Sequence, residues 1–147
     1  MSLNHGAIWW SELKTSDVRG ALKYYGDVCG WSFDAMPMEG GDYHVAVAHG
    51  KPIAGISDMT GSEQFEESTP HWFTYIAVDD VDRAAERTRF AGGRIIRPPF
   101  DVPEVGRIAI VADTSGAVVG LMTPAYEADE AEEAPMDDDG TEDNFPV

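Results

Sequence analysis

Cysteine occurs once in the chain, at Cys29, so no intramolecular disulfide can form and no second thiol is present to hold zinc. A lone cysteine in "DVCGW" is expected to be a small packing residue. Bases are also scarce: 10 Lys and Arg stand against 27 Asp and Glu, a formal net charge of -17. A field of that sign repels phosphates, and no basic stripe reverses it, so nucleic acid and anionic membrane surfaces are excluded as partners. Long apolar runs are absent. Nothing approaches the roughly 18 residues of a membrane span, and "MSLNHGAIWW" has neither the basic leader nor the apolar core of a signal peptide. A cytoplasmic location is expected. No G-x-S-x-G elbow and no P-loop occur, and the glycines of "AGGRI" end a helical pattern instead of opening one. The 4 histidines do not fall at spacings that assemble a triad with Ser and Asp.

What is present suits one domain. Apolar residues make up 43% of 147, enough for a single core. The charge is concentrated at one end: residues 127–143 hold ten acids and no base, leaving 17 acids against 10 bases, or -7, in residues 1–125. Residues 126–147 therefore read as an acidic tail outside the domain, solvated by composition. Phe145 and Pro146 are its expected apolar contacts with a neighbouring surface. One function to be weighed is that of an interaction protein acting through this tail.

The domain repeats itself. Sliding the sequence by 63 positions sets Trp10 over Phe73, Leu13 over Ile76, Asp17 over Asp80, Val18 over Val81, Ala21 over Ala84 and Gly30 over Gly93. Each copy opens with a β-favouring run, "AIWWSELK" or "HWFTYIAV". Each then meets a helix cap at "TSDV" or "VDDV". Val18, Ala21, Leu22 and Tyr25 recur at helical spacing in the first copy, as do Val81, Ala84, Ala85 and Thr88 in the second, so each helix should lay one face on its own strands. Gly30 and Gly93 are expected to stop the helices at equivalent points. Three strand candidates follow in each copy: "WSFDAMPM", "DYHVAVA" and "PIAGISDM", then "GRIIRPPF", "GRIAIVA" and "AVVGLM". The polar stretch "TGSEQFEESTP" links them. Two modules, about 5–60 and 70–125, each too small to be stable alone, are predicted to make one α+β domain of two βαβββ units.

The segments "ELKTSDVRGALKYYGDVCGW", "HWFTYIAVDDVDRAAER" and "GGRIIRPPFDVPEVGRIAIVADTSGAVVGLMTP", together with the paired modules, resemble the vicinal oxygen chelate superfamily of glyoxalase I, bleomycin-resistance proteins and extradiol dioxygenases. The resemblance covers about residues 5–125 and is strongest to small glyoxalase-like members. It implies a mixed sheet curled into a cup, helices on its outer face, and a homodimer. It also implies a divalent metal held by His, Gln or Glu on the first and last strand of each module. Those four places fall on Trp10, Gly55, Phe73 and Gly120. Indole, phenyl and glycine offer no donor for such an ion, so no metal and no other cofactor is expected. A displaced site built from Glu12, His71 and either His44 or His49 is the alternative, and with it a glyoxalase-like lyase or dioxygenase. Asp79, Asp80 and Asp82 cluster at a helix start, where open amides favour acids, and are read as caps over calcium ligands.

Period two places Trp10, Glu12, His71, Phe73 and Tyr75 on the inner face, with Ile53, Ser57, Val118 and Met122 from the last strands. This is an aromatic cup with one carboxylate, and bare glycine at Gly55 and Gly120 is expected to leave a slot open. Its predicted occupant is a small organic molecule, aromatic or cationic. The competing reading is that Trp10 and Phe73 fill the cup as core. Arg107 either crosses the groove to a carboxylate or anchors structure, the second being favoured.

Overall fold

The repeat of residues is a repeat of elements. In the computed structural model, which describes residues 4–38, 41–60 and 69–125, strand β1 (Ile8–Thr15) precedes helix α1 (Val18–Cys29) and strands β2 (Ser32–Met38), β3 (Gly41–Ala48) and β4 (Lys51–Asp58). The order recurs as β5 (His71–Ala77), α2 (Val81–Phe90), β6 (Arg94–Val102), β7 (Gly106–Ala112) and β8 (Val118–Pro124). All eight strands join one mixed sheet in the order β2-β3-β4-β1-β5-β8-β7-β6, the α+β class expected. The stretch joining the two units, residues 61–68, and the acidic segment with Phe145 and Pro146 lie outside the described residues.

The two first strands meet at the centre, antiparallel, with Trp10 opposite Tyr75, Ser11 opposite Thr74 and Glu12 opposite Phe73. A shift of 63 carries Trp10 to Phe73 and Glu12 to Tyr75, and carries Ser11 onto its own partner. An approximate twofold axis therefore passes between Ser11 and Thr74. The outer strands obey it, since β4 places Gly55 beside Glu12 and β8 places Gly120 beside Tyr75, both in parallel pairing.

The helices start in register and stop out of it. Asp17 accepts a hydrogen bond from the Gly20 amide and Asp80 accepts from those of Asp82 and Arg83, each satisfying donors that a helix N-terminus leaves open. Gly30, at φ +75°, closes α1 in the left-handed region. In α2, however, the helix ends at Phe90 and Gly92, at φ +94°, takes that role. Gly93 is not the stop. Its amide returns to the Thr88 carbonyl at 2.9 Å, so the pair of glycines divides the two hydrogen bonds of the exit, and α2 is 10 residues long against 12 for α1.

Strand alternation sorts the core into two faces. On the helix side Val81, Ala85 and Ala109 are buried together against Val78, Ile95 and Leu121, with α2 lying over β6, β7 and β8. The matching face of α1 is only half buried, and no residue of that helix is fully covered. Cys29 is exposed, contrary to the packing role expected: it is the last residue of α1, and the final turn of that helix is uncovered. On the opposite face Met59, Phe73, Tyr75, Ile108, Ile110 and Met122 pack together, with Trp10 partly buried against them. Phe73 is 2% exposed, and burial of such a ring stabilises the fold by about 1.5–3 kcal/mol.

Candidate functional site

Glu12 is the centre of the inner face. It sits on β1 between Gly55 of β4 and Phe73 of β5 and is 7% exposed, so its charge needs partners. Its Oε2 accepts from Lys14 Nζ at 2.6 Å and from Ser57 Oγ at 2.8 Å. Its Oε1 accepts from the Tyr43 hydroxyl at 3.2 Å, and the Tyr75 phenol lies close enough to feel the charge of the same carboxylate. Tyr43 accepts in turn from Trp10 Nε1 at 2.9 Å. Burial, and then the charge of Glu12, hold both phenols far above the ordinary tyrosine range. Lys14 Nζ also lies 5.5 Å from the centre of the Phe73 ring, within cation-π reach.

The fold thus brings together most of the residues expected here. Trp10, Glu12, Ser57, Phe73, Tyr75, Gly55, Gly120 and Met122 all belong to this face, and His71 joins it through its ring, edge-on to Phe73. Arg107 does not. In β7 Ile108 and Ile110 point to the inner cluster and Ala109 to the helix cluster, so alternation turns Arg107 outward. There its guanidinium clamps Asp82 of α2 at 2.9 and 3.0 Å and meets Asp101 at 3.2 Å. The favoured anchor role is therefore the one it has, and the Arg107 hydrogen bonds hold Asp82 below the usual carboxylate range.

Nor do the glycines leave an open slot. A Cβ on Gly55 would meet the Tyr43 hydroxyl, and one on Gly120 would meet the rings of Tyr75 and Phe73. Glycine is there so that rings can lie on the sheet. Phe73, Tyr75 and Met122 are buried core, whereas Trp10, Tyr43, Ser57 and His71 are half buried and Ile53 and Val118 are exposed. The floor of the cup is packed and its rim is accessible. Tyr43 and Lys14 are the two members that the sequence reading missed. Lys14 shares the parity of Trp10 and Glu12 and was within reach of the same rule; Tyr43 needed the β3–β4 register.

The donor set does not fit a divalent metal. The four inherited places hold two aromatic rings and two glycines, and the one nearby carboxylate is already engaged by an ammonium and by hydroxyl groups. The displaced alternative is not assembled either. Residue His44 pairs with Ile56, on the alternation opposite to Tyr43 and Gly55, and His49 forms the β3–β4 hairpin turn with Gly50, at φ 53° and 76°. Among the described residues no three His, Cys, Asp or Glu side chains converge as metal ligands do. No described helix is long and apolar enough to cross a membrane.

Among known proteins, the chain is 39% identical over 114 residues to CFP32 of Mycobacterium tuberculosis, a glyoxylase candidate, covering 76% of this chain and 43% of the relative. It is 31% identical over 127 residues to the anthracycline biosynthesis protein DnrV of Streptomyces peucetius, covering 79% and 46%. The chain thus spans under half the length of these relatives. Among solved structures, methylmalonyl-CoA epimerase of Mycobacterium tuberculosis superposes with a TM-score of 0.60 at 20% identity, covering 91% of this chain and 95% of that one. The Streptomyces coelicolor epimerase bound to 2-nitronate-propionyl-CoA gives 0.60 at 16%, covering 81% and 97%. At such identities these two share the fold. A family profile matches residues 3–121, and the chain, built of two paired units in one sheet, belongs to the Glyoxalase/Bleomycin resistance protein/Dioxygenase superfamily.

Proposed function

We propose that the protein binds a small planar organic molecule at the rim of the inner face, over Trp10 and Tyr43, without a metal. The observation that carries this reading is the state of Glu12. At the centre of the face where the family holds its metal, the carboxylate is saturated by Lys14, Ser57 and Tyr43. A saturated carboxylate also has little left to offer a cation, which shifts the expected ligand from cationic toward aromatic. Trp10 supplies a stacking surface, and the Tyr43 hydroxyl can exchange one of its bonds for a ligand atom. The anthracycline association in the name of the Streptomyces relative supports an aromatic probe. We further propose that two copies pair through the first unit, where Met36, Met38 and Ile53 stand exposed; the greater length of the relatives leaves room in one chain for a second unit of this size.

Fluorescence titration with a panel of planar aromatic compounds, an anthracycline included, tests the site. Quenching is expected in the parent and is lost in Trp10→Leu, which separates Trp10 from the other 3 tryptophans. Tyr43→Phe weakens binding about fivefold, the value of one hydrogen bond of roughly 1 kcal/mol. Near-stoichiometric zinc, nickel, iron or manganese in the purified protein, lost in Glu12→Gln, overturns the reading in favour of a metal-dependent lyase or dioxygenase.

A further inference from the structure

Strand β6 is 9 residues long and its partner β7 is 7, and the excess is taken up in two shifts of register. Arg94 stands opposite Ala112 and Ile95 opposite Val111; the pairing then slips, sets Arg97 opposite Ile110, slips again and sets Phe100 opposite Ile108. Each slip decides a face. Continued without either, the register of Arg94 would put Arg97 opposite Ala109, which belongs to the helix-side cluster. The first slip moves it to Ile110, on the inner face. With that slip alone, Phe100 would oppose Arg107 and turn toward α2; the second brings it to Ile108 and the inner cluster. Bulges re-aim side chains in this way and are common beside functional sites. Protection of the sheet edge accounts for Pro98 and Pro99 but not for an arginine turned inward.

The guanidinium of Arg97 lies 3.6 Å from the centre of the Phe100 ring. Stacking occupies the flat face of the group and leaves its N–H donors pointing outward in the plane, in the fork that matches both oxygens of a carboxylate. Arg97 is exposed and makes no ion pair among the described residues. No described strand of the second unit adds an acid to this face: Asp101 meets Arg107 on the helix side, and Glu104 and Asp113 stand in the turns before and after β7. Arg94, opposite Ala112, adds a second positive charge at the same edge. The Glu12 charge, on β1, is already balanced by Lys14. A third slip, between Ile8 and Trp10 of β1, brings a further ring inward, so that Trp9 as well as Trp10 packs on the inner cluster. Phe100 packs on that cluster from the opposite side of β5, β8 and β7.

We propose that Arg97 is an anion subsite of the cup and that the ligand is a planar aromatic acid, its rings over Trp9 and Trp10 and its carboxylate in the fork of Arg97. This rests on the planar-ligand reading above and adds to it a charge and an orientation. The two arginines meet the acid with the only uncompensated charge on that half of the face, and the Phe100 ring beneath the guanidinium keeps water from one side of the pair.

Calorimetric titration of the full chain at low salt, with an anthraquinone carboxylate and the matching neutral anthraquinone carboxamide, tests it. In the parent the carboxylate is expected to bind about fivefold more tightly, and the Arg97 Nε–Hε resonance to move with the carboxylate and not with the carboxamide. Arg97→Gln removes the preference, and Arg97→Lys keeps only part of it because an ammonium has no planar fork. Arg83→Gln, which removes the same charge from α2, leaves the preference as it was and so separates a local contact from the general field. Equal affinities in the parent, or a preference that survives Arg97→Gln, overturn the anion subsite while the planar-ligand reading stands. Absence of binding by both compounds overturns the two together.

Discussion

Gly120 has no side chain because two rings already lie where one would go. Gly120→Ala is therefore expected to act as overpacking, destabilising the fold by about 1–3 kcal/mol as the rings of Tyr75 and Phe73 step aside; denaturant unfolding reads the change, and an unaltered midpoint would mean that the rings move freely. The phenols of Tyr43 and Tyr75 give a second prediction. Their native ionisation is pushed upward by burial and by Glu12, while an unfolded tyrosine ionises near 10. The stability they contribute is whole below about pH 10 and is lost as pH rises beyond it. Alkaline unfolding should therefore begin at higher pH in a Tyr43→Phe variant, measured at matched stability near neutrality. Glu12 and its aromatic neighbours were legible from the sequence because a period of two on "WWSEL" and "HWFTY" leaves little choice of face. The Tyr43 bond was not, since it depends on the pairing of β3 with β4, which shifts between Ala46 and Val47, and no composition rule encodes such a shift.

At the scale of the element, helix starts were readable and helix ends were not. Asp17 and Asp80 cap as their positions in "TSDV" and "VDDV" suggest, and replacing Asp80 with Ala should lower stability by about 1 kcal/mol. The same change at Asp17 should cost less, since Asp17 accepts one backbone amide against two for Asp80 and α1 is held less tightly to the sheet. Thermal unfolding of the two single variants checks both magnitude and order. The exit of α2 misled because adjacent glycines each satisfy the requirement for a left-handed residue, and only the hydrogen bonds distinguish Gly92 from Gly93. The groove-crossing role weighed for Arg107 stayed open for another reason. In "GRIAIVA" the residues from Ile108 to Ala112 are all buried, the strand being covered on both sides, so alternation offered no way to tell which face an arginine at its start would take.

For the whole molecule, both edges of the sheet carry proline: Pro37 on β2, Pro98 and Pro99 on β6. Proline donates no ladder hydrogen bond, so growth of the sheet by edge pairing is discouraged, and association should use faces. Sedimentation velocity at micromolar concentration is expected to show a dimer, weakened when Met36 and Met38 are both changed to Ser; a monomer at high micromolar concentration refutes the pairing. The order of elements was available from the repeat alone, because a unit that cannot bury its own apolar face must find its copy. The axis between Ser11 and Thr74 carries one more consequence. It makes Glu12 and Tyr75 twins, so a gene duplicated without later change would have set two identical groups across the seam, and a molecule resting there could lie either way round with equal ease. With a carboxylate on one side and a phenol on the other, left and right are distinguishable. Divergence of the two copies at that pair, and at Trp10 and Phe73 beside it, gives the face a direction.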